Sequence, residues 1–321
     1  MSAPNDAALR EFFAASLHGH LAPLRAWLED PRVSEIAVNG PGRVFVERSG
    51  RFEVASVTFE QGALETIIRA VAQFMGRRSG DDLSRLDARL PNGERLTAVQ
   101  PPVSRFPCLS IRKASNQAYT LDDLVAMQAL DASQARALSG AVRARRNLLV
   151  SGGTGSGKTT LLRALCQRIE PQERIIVLED TRELNLDNPH LLEMEARGCT
   201  VAELIHTSLR MRPDRVILGE IRSGPDASDF LTALNLGHDG GLGTVHASSA
   251  RLALSRLENL LLGVRGESVP LRAIRMEVCT AVQCVVQVSR GSDGRRRVTE
   301  IVEVQPGLDD RGDVIVQPMR L

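Results

Sequence analysis

Residues 147–169 read NLLVSGGTGSGKTTLLRALCQRI, and no other stretch restricts the fold as tightly. A short apolar run enters, a glycine-rich loop follows, and a helical pattern leaves. Gly152-Gly153-Thr154-Gly155-Ser156-Gly157-Lys158-Thr159 matches G-x-x-x-x-G-K-[ST] at every fixed position. Such a loop turns successive backbone N–H groups toward an anion, at the positive end of a helix. Gly152, Gly153, Thr154, Gly155, Ser156, Gly157, Lys158, Thr159 and Thr160 are therefore the expected nucleotide contacts. Lys158 is expected to reach the β- and γ-phosphates, and Thr159 to hold a magnesium ion through its hydroxyl. ATP and Mg2+ are the cofactors this implies.

The pattern around the loop is α/β. From about Thr120 onward, apolar runs alternate with helical segments: NLLVSG, TTLLRALCQRI, RIIVLED, TVAELIHTSLRM, RVILGE, DASDFLTALNLG and GTVHAS. That alternation predicts a mostly parallel sheet with helices on both faces. Thr200-x-x-Glu203 reads as a capping box. SARLALSRLENLLLG reads as an amphipathic helix, and the tail as a hairpin around Asp293-Gly294. The first part of the chain has a different texture. Residues 1 to about 30 suggest one or two helices, and residues 33–59 alternate β-rich runs with Asn39-Gly40, Pro41-Gly42 and Ser49-Gly50. GALETIIRAVAQFMG has helical spacing, and Asn92-Gly93 marks a hairpin. The expected organisation is an α+β domain over 1–112, a linker over 113–120 and the nucleotide-binding domain over 121–321.

Three further segments carry chemistry. RIIVLEDTREL ends an apolar strand in Glu179-Asp180, and carboxylates at the C-terminal ends of parallel strands face the ligand crevice. Glu179 and Asp180 are expected to hold waters of the magnesium shell. Glu183 reads as a cap or an arginine partner. RVILGEIR places Glu220 at another strand end, where a long carboxylate orients the attacking water and accepts its proton. Asp214, on the entry side of that strand, reads as structural. GHDGGLGTVHASS ends a short strand in His246, a candidate sensor of the γ-phosphate.

Composition excludes some partners. The formal net charge is +1 and aromatics make up 3% of the chain, which gives no strong nucleic-acid signature. Five irregularly spaced cysteines read as reduced packing residues rather than a disulfide or zinc framework. No signal peptide and no transmembrane segment are evident. Lys113 and Lys158 are the two lysines among 40 basic residues, so a lysine here reads either as a place for a compact ammonium or as chance.

These four boxes, in this order behind an α+β domain, resemble the traffic ATPases of type II and type IV secretion. The boxes are Gly152–Thr159, Glu179–Glu183, Arg215–Glu220 and Gly237–His246. The resemblance covers nearly the whole chain. Its length, and the lack of a tetracysteine module, look like the type IV secretion branch and its conjugal-transfer ATPases. It implies a RecA-like core, a homo-hexameric ring, ATP hydrolysis that powers substrate transfer or pilus assembly, and inner-membrane channel partners on the cytoplasmic face. It also implies that Arg95 and Arg112, from the first domain, lie over the phosphates; Arg210 and Arg222 are candidate partners of the acids. A pilus extension or retraction motor and a DNA-handling RecA-like motor are the competing readings.

Overall fold

The computed structural model describes residues 14–48, 50–77, 80–113, 118–266 and 268–320. The chain divides into two compact units, Met1–Ser115 and Asn116–Leu321. Residues 1–13 of the expected N-terminal helices and 114–117 of the expected linker lie outside the described residues.

The first unit opens with helical residues 14–20 (α1) and α2 (Arg25–Glu29). Its strands are β1 (Val33–Val38), β2 (Val44–Arg48), β3 (Arg51–Ala55), β4 (Arg85–Arg89), β5 (Arg95–Val99) and β6 (Cys108–Arg112). They form one sheet in the order β3-β2-β1-β6-β5-β4, with antiparallel pairing throughout. β1 to β3 form the expected meander, and Asn92-Gly93 turns β4 into β5, with Gly93 at φ 94°. β6 then returns between the two hairpins and pairs with β1. One face buries Ile36, Val38, Leu96 and Ile111. Onto that core α3 (Ala63–Phe74) lays Leu64, Ile67, Ile68 and Val71, the 3.6-residue stripe of an amphipathic helix.

The second unit begins with α4 (Leu121–Ala126) and α5 (Ala132–Arg143), each closed by a capping box: Thr120 with Asp123, and Asp131 with Gln134. Then follow β7 (Leu148–Gly152), α6 (Lys158–Cys166), β8 (Ile175–Glu179), β9 (Leu191–Glu195), α7 (Val201–Leu209) and β10 (Arg215–Ile221). The chain continues through α8 (Gly224–Asn235), β11 (Leu242–Val245), α9 (Ala250–Arg265), α10 (Leu271–Ala281), β12 (Cys284–Arg290), β13 (Arg296–Leu308) and β14 (Val314–Pro318). The sheet order is β14-β13-β12-β7-β11-β10-β8-β9. The run from β12 to β9 is parallel, and β13 and β14 add antiparallel strands at one edge.

The central strands are buried on both faces, so they read as mostly apolar runs rather than alternating ones. Leu149 packs into one core with residues of α8, α9 and α10, while Leu148 and Val150 pack into another with α5 and α6. All five cysteines are free. Burial pushes the Cys166 and Cys284 thiols up to about 12, as inert packing residues require.

Candidate nucleotide site

Parallel strands deliver their C-terminal ends to one edge, and four segments with candidate chemistry meet there. Gly152, the last residue of β7, has no room for a side chain: a Cβ would stand 2.4 Å from the Val288 carbonyl oxygen and 2.4 Å from Ser156 Oγ. Gly155 and Gly157 take φ values of 66° and 101°, where glycine is favoured. The loop is thus a backbone cradle leading into α6, and it fits a phosphate group. Lys158 is buried at the first turn of that helix. Its ammonium donates to the carbonyls of Gly152 and Gly153, 3.0 Å each, and lies 3.3 Å from His246 Nε2.

From that ammonium a line of polar contacts crosses the edge. His246 Nε2 is 2.8 Å from Glu220 Oε1. Arg222 Nε donates to Glu220 Oε2 at 2.7 Å, and Arg222 Nη1 to Asp180 Oδ2 at 2.5 Å. Lys158, His246, Glu220, Arg222 and Asp180 are therefore contiguous. Partial burial and the Lys158 ammonium hold the His246 imidazole below its ordinary value, so the ring is neutral at pH 7. A neutral ring has one proton, and Glu220 is the acceptor within reach. Nε2 is therefore assigned as the donor to Glu220, with the Lys158 ammonium, which donates to the two loop carbonyls, beside the same ring edge.

β10 explains how Glu220 is aimed. Its pairing with β11 shifts register between Leu218 and Ile221, a bulge at Gly219-Glu220. Ile221 consequently rejoins the same core as Leu218, and the strand continues one residue past the acid. Gly219 makes space for a neighbour: a Cβ there would lie 2.8 Å from Glu179 Cγ. Thr244 Oγ1 donates to the Gly219 carbonyl at 2.7 Å and pins the bulge to β11.

Glu179 and Asp180, adjacent in sequence, have different surroundings. Asp180 is exposed and paired with Arg222, whereas Glu179 is buried. Glu179 Oε1 accepts the backbone N–H groups of Glu183 (3.0 Å) and Leu184 (3.1 Å), and Oε2 has no hydrogen-bond partner. Burial, partly offset by those two N–H groups, pushes its carboxyl up to about 7. Asp214 Oδ2 accepts Arg174 N–H at 2.8 Å, a backbone-fixing role at the opposite end of β10.

Among the described residues no three His, Cys, Asp or Glu side chains converge to hold a metal ion. The half-buried Thr159 hydroxyl and nearby carboxylates suit a cation held between phosphate oxygens and water rather than a protein cage. Arg95 and Arg112 belong to the first unit. There they face each other across β5 and β6, with Arg89 opposite Arg95 on β4 and Glu35 opposite Arg112 on β1. Of the two other candidate arginines, Arg222 joins the acids, and Arg210 is the C-cap of α7. Sequence reading missed Arg296, whose Nε donates to the Gly155 carbonyl at 2.8 Å. An exposed arginine in a polar hairpin carries no signal of that contact.

A glycine cradle at the C-terminal edge of a parallel sheet, with acids at the neighbouring strand ends, defines an α/β protein of the P-loop type. The chain belongs to the Type II/IV secretion system protein family, whose model matches residues 18–311. Within it the chain stands with the type IV secretion and conjugation ATPases. It is 34% identical to the conjugal transfer protein TrbB of Rhizobium radiobacter over 283 residues, covering 87% of this chain and 85% of that one. It is 36% identical to the type IV secretion system protein VirB11 of Brucella suis over 336 residues, covering 93% and 92%. The crystal structure of the VirB11 ATPase of the Brucella suis type IV secretion system, in complex with sulphate, aligns at 34% identity with a TM-score of 0.50. It covers 92% of this chain and 96% of that one. The pilus retraction motor PilT with bound ADP shares the fold at 17% identity, with a TM-score of 0.59 over 94% and 80% of the two chains. The fold class and family expected from the four boxes are both met.

Proposed function

We propose that the chain is a magnesium-dependent ATPase that works as a homo-hexameric ring on the cytoplasmic face of the inner membrane. There it would power substrate transfer or pilus assembly beside the channel components of a type IV secretion or conjugation system. The observation that carries this is the contact line from Lys158 through His246, Glu220 and Arg222 to Asp180. It puts the Lys158 ammonium two contacts from the Glu220 carboxylate, which supports reading the first as the phosphate binder and the second as the acid that activates water. No helix among the described residues is long and apolar enough to cross a membrane, so membrane attachment in this reading runs through partners.

In this reading the nucleotide phosphates lie in the loop from Gly152 to Thr160, and Lys158 binds the β- and γ-phosphates. Magnesium, held by Thr159 with Asp180 and Glu179 near its waters, would neutralise charge on the phosphates. Glu220 orients the attacking water and takes its proton, while Arg222 and His246 hold that carboxylate in place. His246 touches both Glu220 and Lys158 and would register the γ-phosphate. Arg95 and Arg112 would stabilise charge on the transferred group from a unit of the same or a neighbouring subunit. Residues 113–120 would join the 1–112 domain to the 121–321 ATPase domain and absorb their relative movement.

The test is the mass of the protein in solution with ATP and Mg2+, with phosphate release measured on the same sample. A sixfold mass together with turnover is expected. A monomer that hydrolyses ATP would contradict the ring, and a hexamer without turnover, tested with lipid and partners, would contradict the ATPase.

A further inference from the structure

The C-terminal hairpin reaches the phosphate loop, and none of the four boxes includes it. β12 runs parallel to β7 with Val288 opposite Gly152, so its end arrives at the same sheet edge as the loop. The turn at residues 291–295 then brings Arg296 back opposite Arg290. Arg296 Nε donates to the Gly155 carbonyl at 2.8 Å. Its side chain also backs the loop: a Cβ at Gly157 would meet Arg296 Cδ at 3.3 Å, and one at Gly155 would meet Arg290 Nη1 at 3.9 Å. The adjoining arginines are engaged elsewhere, Arg297 with Asp293 and Arg295 with Gln128. Of these three, Arg296 makes the hydrogen bond to the Gly155 carbonyl.

We propose that Arg296 is a positioning residue for nucleotide binding. By fixing the Gly155 carbonyl outward, it holds the loop in the conformation whose N–H groups face the phosphates. Its positive charge, with that of Arg290, lies beside a loop that receives a polyanion. The hairpin is then part of the nucleotide site rather than a distant edge of the sheet. This rests on the reading that the loop binds ATP.

The test is titration with mant-ADP, paired with turnover at saturating ATP and melting of the nucleotide-free protein. Arg296→Ala is expected to weaken mant-ADP binding about tenfold, the size of one charge-assisted hydrogen bond lost. Its kcat should stay within about twofold, since the contact is made equally in ground and transition states. Arg296→Lys keeps the charge and one donor and should recover most of the affinity. The Ala variant should also lose part of the salt dependence of binding. Unchanged affinity in Arg296→Ala overturns the proposal. So does a lower melting point with unchanged affinity, which would confine Arg296 to holding the hairpin, and so does no recovery in Arg296→Lys. Failure of the wild-type protein to bind mant-ADP at all would overturn the ATPase reading along with it.

Discussion

Arg222 is the residue that joins two boxes. Its guanidinium spans Glu220 and Asp180, and without it Glu220 keeps, among the described residues, the imidazole of His246 as its side-chain partner. A carboxylate that must orient water loses rate when it can rotate. Arg222→Ala is therefore expected to lower kcat about tenfold or more while the KM for ATP stays within about twofold. Steady-state kinetics decide this, and a raised KM with unchanged kcat would contradict the assignment. Glu179 makes a separate prediction. Its folded-state carboxyl lies at about 7 against an ordinary 4.5, so the folded chain binds this proton more tightly than the unfolded chain does. Stability from this group falls as pH rises from 4.5 toward 7, and the cost is complete above 7. Glu179→Gln keeps an oxygen for the Glu183 and Leu184 amides and removes the charge. Its stability advantage over wild type should open between pH 5 and 7 and reach roughly 3 kcal/mol above it. Denaturant melts across that range would show the gap, and a gap independent of pH would contradict it. The lysine signal also resolves at this scale. Lys158 caps the carbonyls of Gly152 and Gly153, and Lys113 caps those of Trp27 and Asp30, at 3.3 and 2.7 Å.

Among the elements, β10 shows how local backbone serves the site. The bulge at Gly219-Glu220 requires a residue without a side chain beside Glu179. Gly219→Ala is expected to destabilise the protein by about 1–3 kcal/mol through that overlap and to lower turnover by displacing Glu220. Thermal melts with activity on the same samples check both effects; full stability with wild-type turnover would contradict the packing argument. Other elements differed in how far the sequence exposed them. The hairpin at Asn92-Gly93 and the capping box at Thr200 and Glu203 were legible, because both signals are local. The insertion of β6 beside β1 was not, since that pairing joins residues far apart in sequence. Short β9 and β14 were missed because half-buried strands of five residues carry little periodicity. α4 and α5 were missed although both carry capping boxes.

Across the whole molecule, the parallel sheet turns sequence order into proximity. The loop after β7, the acids after β8 and within β10, and the His246 that follows β11 belong to separate segments, yet successive contacts link them. That convergence was legible because each box ends an apolar run, and parallel strands end on one edge. The pairing of Arg222 with the acids was legible too; what stayed hidden was the burial of Glu179 and the contact of Arg296 with the loop. Each depends on side chains brought together from distant segments, to which a linear pattern is blind.

The central claim is that these groups form one ATP-hydrolysing centre with Glu220 as the acid that handles water. Phosphate release at saturating ATP and Mg2+, compared between the wild-type protein and Glu220→Gln with nucleotide binding measured alongside, tests it most directly. The account predicts binding within about threefold of wild type and turnover reduced at least about a hundredfold. Wild-type turnover in Glu220→Gln would contradict it.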